Sequence, residues 1–161
     1  MELSAPDVAQ GGELWSLARD SGKLDLNSSY AYLLWCRDFA HTSVVATIEG
    51  RAVGFVTGYR RPEDPAVLLV WQVAVSEEAR GMGIAGRMLD HLVDRLLPDG
   101  VRWLETTVTP DNAASQRLFE AFARRRGVEA SVSVLFEADL FPDPPHEPEQ
   151  LFRIGPLRSP D

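Results

Sequence analysis

Residues 68–97 constrain the fold more than any other part of the chain. They run Leu68-Leu69-Val70-Trp71-Gln72-Val73-Ala74-Val75, then Ser76-Glu77-Glu78-Ala79, then Arg80-Gly81-Met82-Gly83-Ile84-Ala85-Gly86, then a long periodic stretch. The first run is apolar and free of Gly and Pro, which predicts a buried strand. From Ile84 onward, apolar residues recur at Met88, Leu89, Leu92, Val93, Leu96 and Leu97. Arg87, Asp90, His91, Asp94 and Arg95 fall between them, so one face of a helix is apolar and the other charged. Pro98-Asp99-Gly100 stops it. A strand, a Gly-rich turn and a helix start together make an anion site. Glycine lets the backbone approach a ligand closely, and the first helical N–H groups have no partners within the helix. Arg80 adds a fixed positive charge.

Two nucleotide-binding patterns put phosphates on such a turn. Gly81-Met82-Gly83-Ile84-Ala85-Gly86 satisfies the letter of the dinucleotide fingerprint, with Glu105 about 20 residues on. A Rossmann fold, however, needs several βαβ units with this turn behind an early strand. Here the turn is mid-chain, behind strands that look antiparallel, and Glu105 lies inside its own strand. The other pattern fits better. Arg80-Gly81-Met82-Gly83-Ile84-Ala85 resembles the Arg/Gln-x-x-Gly-x-Gly/Ala motif of the GCN5-related N-acetyltransferases. That resemblance implies that Arg80, Gly81, Gly83, Ile84 and Ala85 hold the pyrophosphate of acetyl-coenzyme A, used as a cosubstrate.

Composition narrows the rest. One domain is expected from 161 residues. No run of about 18 apolar residues predicts a membrane span, and the acidic start of the chain lacks the apolar core of a signal peptide. The single cysteine, Cys36, forms no internal disulfide and points to a cytoplasmic protein. It reads as a packing residue. A net charge of -8 argues against a nucleic-acid partner, which takes a basic face. His41, His91 and His146 have no metal-ligand spacing, so no metal is expected.

Elsewhere, Asp7 caps an expected helix over 8–19, and Asn27 or Ser28 caps a second one ending near 39. Segments 44–48 and 52–59 flank Glu49-Gly50-Arg51 as a hairpin. Residues 60–65 read as a solvated loop, 101–108 as a strand, and 131–136 as a late strand; between the strands Pro110-Asp111-Asn112 opens a helix bearing Leu118, Phe119, Phe122 and Ala123, which Arg124-Arg125-Arg126-Gly127 ends. Residues 1–140 are expected to form the catalytic domain. The Pro- and acid-rich tail, 141–161, belongs to the same domain, with Leu151-Phe152-Arg153-Ile154 as its only apolar anchor. This order is that of the α/β acetyltransferase fold, a mixed central β-sheet with helices on both faces. In the resembled fold two parallel strands splay apart, and the pantetheine arm lies in the split beside Val73 and Val75.

Several further stretches are similar to one subfamily, the L-2,4-diaminobutyrate acetyltransferases of ectoine biosynthesis. They include Leu24-Asp25-Leu26-Asn27-Ser28 with Tyr30 and Tyr32, Gly54-Phe55-Val56-Thr57-Gly58-Tyr59, Val70-Trp71-Gln72-Val73, Glu105-Thr106-Thr107-Val108, and His146-Glu147. The resemblance implies acetyl transfer to the γ-amino group of diaminobutyrate by a cytoplasmic homodimer; another small amine or amino acid is the alternative acceptor. It implies Trp71 as pocket wall and Asp25 as a substrate contact, and Gln72, Tyr30 and His146 join them as substrate-site candidates. Trp71 and Gln72 are expected on opposite faces of their strand. Trp15 is either core or pocket lining. Asn112 and Ser115 either cap a helix or reach the coenzyme. Glu105, a carboxylate in an apolar strand, needs a partner; it is the candidate catalytic base, with a structural ion pair as the competing role. Many superfamily members carry a Tyr that protonates the leaving thiolate, and the nearest position here is Phe119.

Overall fold

The computed structural model describes residues 1–158. One seven-stranded sheet runs through it, in the order β1 (Glu2–Ser4), β2 (Val44–Ile48), β3 (Arg51–Arg61), β4 (Asp64–Val75), β5 (Trp103–Val108), β7 (Glu149–Gly155), β6 (Glu129–Phe136). All neighbours are antiparallel except β4 and β5. Helices α1 (Gly11–Ser21) and α2 (Ser29–Asp38) cover one face. Helices α3 (Ile84–Leu96) and α4 (Ala113–Arg126) cover the other.

Each face has its own core. Ile84, Met88, Leu89, Leu92, Val93 and Leu96 are the buried stripe of α3, and they meet Val44, Val56, Leu68, Leu104 and Ile154 from the sheet. Each such side chain stabilises by about 1.5–3 kcal/mol on burial, so the stripe is the largest apolar anchor of the site turn. On the other face Leu14, Ala18, Tyr32 and Cys36 pack against Val45, Phe55 and Ala74. Burial pushes the Cys36 thiol up to about 11, which makes it inert. Helices α3 and α4 are also tied by charge: Arg126 reaches Asp90 and Asp94, and Arg125 reaches Asp90.

Local signals explain most element starts. Asp7 forms a capping box with Gln10, though the first turn, Val8–Gln10, is 3-10 rather than α. Ser28, not Asn27, caps α2, accepting from the Ala31 N–H. Residues 60–65 are not a solvated loop. β3 and β4 run on until Arg61 pairs with Asp64, and Arg60 Nε donates to the Pro65 carbonyl at 2.7 Å. The 141–161 segment supplies β7, which lies between β5 and β6, and Phe152, Ile154 and Leu157 are all buried.

Two features of β4 prepare the site. Its parallel pairing with β5 runs from Val67–Trp103 to Val70–Thr106 and stops there. Beyond it, residues 72–75 pair with β3 alone among the described residues, so one backbone edge of β4 is free. The second feature is a bulge. Thr57 faces Gln72 but Gly58 faces Val70, so Trp71 is an extra residue. A bulge breaks the alternation of side chains. Leu68 and Val70 therefore join the α3 core while Ala74 joins the α1–α2 core.

Candidate active site

The phosphate turn takes the geometry an anion needs. Gly81 and Gly83 have φ of +79° and +70°, a region that costs L-residues energy and glycine none. Gly83 sits at the cap position of α3, and no side chain there bonds to the first helical N–H groups. These donors, from about Gly83 to Ala85, stay open, and the positive end of the α3 dipole adds to them. The Arg80 side chain is exposed beside them, and no acidic residue lies in the first turn of α3. A cleft of about 1020 Å³ reaches this turn from the α1 side, with Val75, Ser76, Arg80 and Met82 on one wall and Glu13 and Leu17 on the other. Val73 and Val75, both half-buried, lie on the unpaired stretch of β4.

At the next helix, Asn112 and Ser115 satisfy each other. The Asn112 side-chain oxygen accepts from the Ser115 N–H at 3.1 Å, which is a helix cap.

On the α2 face the bulge overturns the expected split of Trp71 from Gln72. Both side chains reach α2. The Trp71 ring lies against Trp35, with centroids 4.6 Å apart and planes tilted by 38°, and stays 42% exposed. Gln72 is 4% exposed, and both polar atoms of its amide are partnered: Oε1 accepts from the Tyr32 hydroxyl and Nε2 donates to the Asp25 carbonyl, each at 2.9 Å. The Asp25 side chain itself is exposed. Trp71, Ala31, Tyr32, Trp35 and Thr57 line a small hollow, and two polar atoms of its lining residues, Trp35 Nε1 and Thr57 Oγ1, are buried. Neither has a hydrogen-bond partner among the described residues.

Glu105 lies one residue before the last paired position of β5. It is 4% exposed and is held by Arg153 Nη1, with Arg61 Nη1 at 3.8 Å. Arg153 also lies over the Trp103 ring, 4.4 Å from its centroid. Two guanidiniums around one carboxylate leave this cluster with one net positive charge. Arg153 escaped the sequence reading. The same signal that marked Glu105, a charge inside an apolar run, is present in Leu151-Phe152-Arg153-Ile154.

The remaining candidates are dispersed. Tyr30 is 66% exposed on α2. Trp15 packs at the edge of the α1–α2 core, with the Arg19 guanidinium 4.9 Å from its ring. His146 stacks on Phe141, centroids 3.6 Å apart, in the loop before β7. That loop touches the approach to α4, because the Asp111 N–H donates to Glu147 at 3.4 Å. Phe119 is buried in the α3–α4 core.

Comparison with known proteins agrees with this geometry. The acetyltransferase (GNAT) family model matches residues 12–123. The L-2,4-diaminobutyric acid acetyltransferase of Streptomyces coelicolor is 58% identical over 161 residues, 99% of this chain and 95% of that one. The Streptomyces avermitilis protein of the same name is 57% identical over 98% of this chain and 89% of its own. Among solved structures, the Paenibacillus lautus diaminobutyrate acetyltransferase, in complex with L-2,4-diaminobutyric acid and coenzyme A, superposes with a TM-score of 0.92. It is 43% identical and covers 99% of this chain and 97% of its own. An uncapped helix start behind a splayed parallel pair, with this degree of likeness along the whole chain, places it: the chain belongs to the GNAT acetyltransferase family and, within it, to the L-2,4-diaminobutyric acid acetyltransferases.

Proposed function

We propose that this protein transfers the acetyl group of acetyl-coenzyme A to the γ-amino group of L-2,4-diaminobutyrate, giving the N-γ-acetyl product, a step of ectoine biosynthesis. The observation that carries the reading is the split between β4 and β5. It lies between an uncapped helix start and the Asp25–Trp71 cluster, in a fold whose Paenibacillus lautus counterpart binds diaminobutyrate and coenzyme A.

The chemistry follows from these parts. The α3 start and Arg80 hold the pyrophosphate. The free edge of β4 near Val73 and Val75 pairs with the amides of the pantetheine arm, which brings the thioester to the split. The substrate amine arrives as ammonium, since alkylamines titrate near ~10.4. It must lose a proton before its lone pair attacks the thioester carbon. The C–N bond forms, the C–S bond breaks, and the thiolate leaves. A thiol pKa near ~8.5 makes that a fair leaving group. With Phe119 at the usual acid's position, no side chain there donates to it, and solvent returns the proton.

Glu105 takes the ammonium proton through a water. Its burial beside the last paired position of β5 supports this role, whereas its contacts with Arg153 and Arg61 support the competing structural one. Glu105→Gln decides between them. The catalytic role predicts a loss in kcat/KM of about 10²–10⁴ with unchanged coenzyme affinity. A near wild-type rate from about pH 7 to 9 would make Glu105 structural. Asp25, whose backbone carbonyl is held by Gln72 next to Trp71, binds the other end of the substrate.

The enzyme works as a cytoplasmic homodimer in osmoadaptation. The single buried cysteine and the exposed Val132, Val134 and Phe136 on edge strand β6 support this part of the reading. Thiol release from acetyl-coenzyme A, measured with diaminobutyrate against its shorter and longer diamino-acid homologues, tests the function. Preference for a homologue would move the assignment to another small-amine acetyltransferase. Sedimentation as a monomer would remove the dimer.

A further inference from the structure

Gln72 has the position of a substrate contact and the bonding of something else. The bulge at Trp71 turns Gln72 under α2, where solvent barely reaches it. An amide can donate two hydrogen bonds and accept two, and an unpaired buried one costs about 1–3 kcal/mol. Gln72 offsets that cost within the protein by giving each of its two polar atoms a partner. Its oxygen takes the Tyr32 hydroxyl and its nitrogen holds the Asp25 backbone carbonyl. Tyr32 is itself fixed, buried edge-on against Phe55 with centroids 6.2 Å apart at 79°. Burial raises its hydroxyl pKa, so it stays a neutral donor.

On the Asp25 side the loop is anchored at its ends, by Leu24 against the α1–α2 core and by Asn27 at the Tyr32 hydroxyl, while Asp25 between them is held from the sheet by Gln72. Residues 24–28 form no regular structure between the end of α1 and the start of α2. Besides Gln72, the Asp25 carbonyl meets only the Asn27 side-chain amide, at a long 3.4 Å. This bridge from the sheet therefore sets how far Asp25 itself stands from the open edge of β4. That distance matters to the chemistry. Diaminobutyrate carries two amines two carbons apart, and whichever one Asp25 holds, the other is offered to the thioester.

We propose that Gln72 is a positioning residue: bridging Tyr32 to the Asp25 backbone, it sets the reach of the Asp25 carboxylate and so selects the γ-amine over the α-amine. This rests on the acceptor assigned above. Misplacement of a holding group by about 1 Å can cost 10²-fold in rate, so a one-bond tether suffices to decide between two amines.

The test uses Gln72→Met, which keeps the length and removes both bonds, and Tyr32→Phe, which removes only the hydroxyl. The full-length enzyme is assayed with acetyl-coenzyme A and diaminobutyrate, and the products are separated by NMR. For Gln72→Met we expect KM for diaminobutyrate to rise at least tenfold, acetyl-coenzyme A affinity to stay put, and N-α-acetyl product to appear. Tyr32→Phe shifts the same readouts less and remains informative if Gln72→Met does not fold. In an Asp25→Asn background, Gln72→Met should add almost nothing, because both act through one contact. A lower Tm with wild-type KM and γ-only product in both variants would overturn the proposal and leave Gln72 a packing residue. Wild-type enzyme that ignores diaminobutyrate would instead overturn the acceptor assignment, and this inference with it.

Discussion

Two helices begin beside the split, and they begin differently. α4 opens on Asn112, whose side chain closes onto the Ser115 N–H. α3 opens on Gly83, which has no side chain to offer its first N–H groups. Both carry the same half-charge of aligned peptide dipoles. Only one leaves it unanswered. A helix start that serves itself is a joint of the fold, whereas one left open is a place for a ligand. By this measure Asn112 and Ser115 are at work as a cap, and the coenzyme reading of this end of the sheet rests on Arg80 and the two turn glycines.

The largest test makes α3 resemble α4. In Gly83→Asp a carboxylate stands at the cap position, accepts the open N–H groups and repels phosphate. A Cβ at Gly83 meets nothing within 4 Å, and Asp enters the left-handed region more readily than most residues, so the fold should survive. Calorimetry should find acetyl-coenzyme A binding abolished, with thermal unfolding near wild type. Unchanged affinity would end the distinction between the two starts. Arg80→Ala is expected to weaken the coenzyme by about tenfold, the worth of one charge-assisted hydrogen bond, and a salt titration should shrink the difference. Asn112→Ala is the mirror experiment. Loss of the cap should cost about 1 kcal/mol of stability in denaturant unfolding, with coenzyme affinity unchanged. A tenfold loss of affinity at constant stability would make α4 a second ligand site.

The smallest effect lies in front of α4. The Glu147 carboxyl is pushed above its ordinary value of 4.5, first by its hydrogen bond with Asp111. Asp111 is held below its own value of 3.8, first by the Thr109 hydroxyl and then by Glu147. A raised folded value means that the Glu147 contribution is complete below its unfolded value and is lost as pH rises through the folded one. Both groups are exposed, so the loop should loosen only slightly over a window just above the usual carboxylate range. Amide exchange at Asp111, normalised to its intrinsic base-catalysed rate, should quicken there. A flat profile would show that the Phe141–His146 stack alone fixes this loop.

The α3 start was legible because its signals are local: an apolar run, two glycines, a periodic stripe, a Pro-Asp-Gly stop. Ser28 and Asn112 announced their caps in the same way. The bulge was not legible, because nothing in Val70-Trp71-Gln72-Val73 marks Trp71 as surplus; its partner β3 decides that. Alternation thus put Trp71 and Gln72 on opposite faces, and the register put both beneath α2. Residues 60–65 misled by composition, since Arg, Pro and Glu suit a loop and also suit a tight exposed hairpin. Arg153 stayed hidden because its meaning depends on Glu105, 48 residues away and brought alongside only by β5–β7 pairing.

The position of β7 also bears on how the molecule is made. Strand β6 is synthesised first, yet its only partner in the sheet is β7, which follows it. β5 likewise waits for β7 on its outer edge. Strands β1 to β4 can pair while the chain is still emerging, but the α3 core stays incomplete until Phe152, Ile154 and Leu157 follow. The half of the sheet carrying Glu105 cannot be completed either, because Arg153 has yet to leave the ribosome. A nascent chain would form its glycine turn and the Gln72–Asp25 bridge before Glu105 meets Arg153, which waits until the last strand slides in between two that are already there.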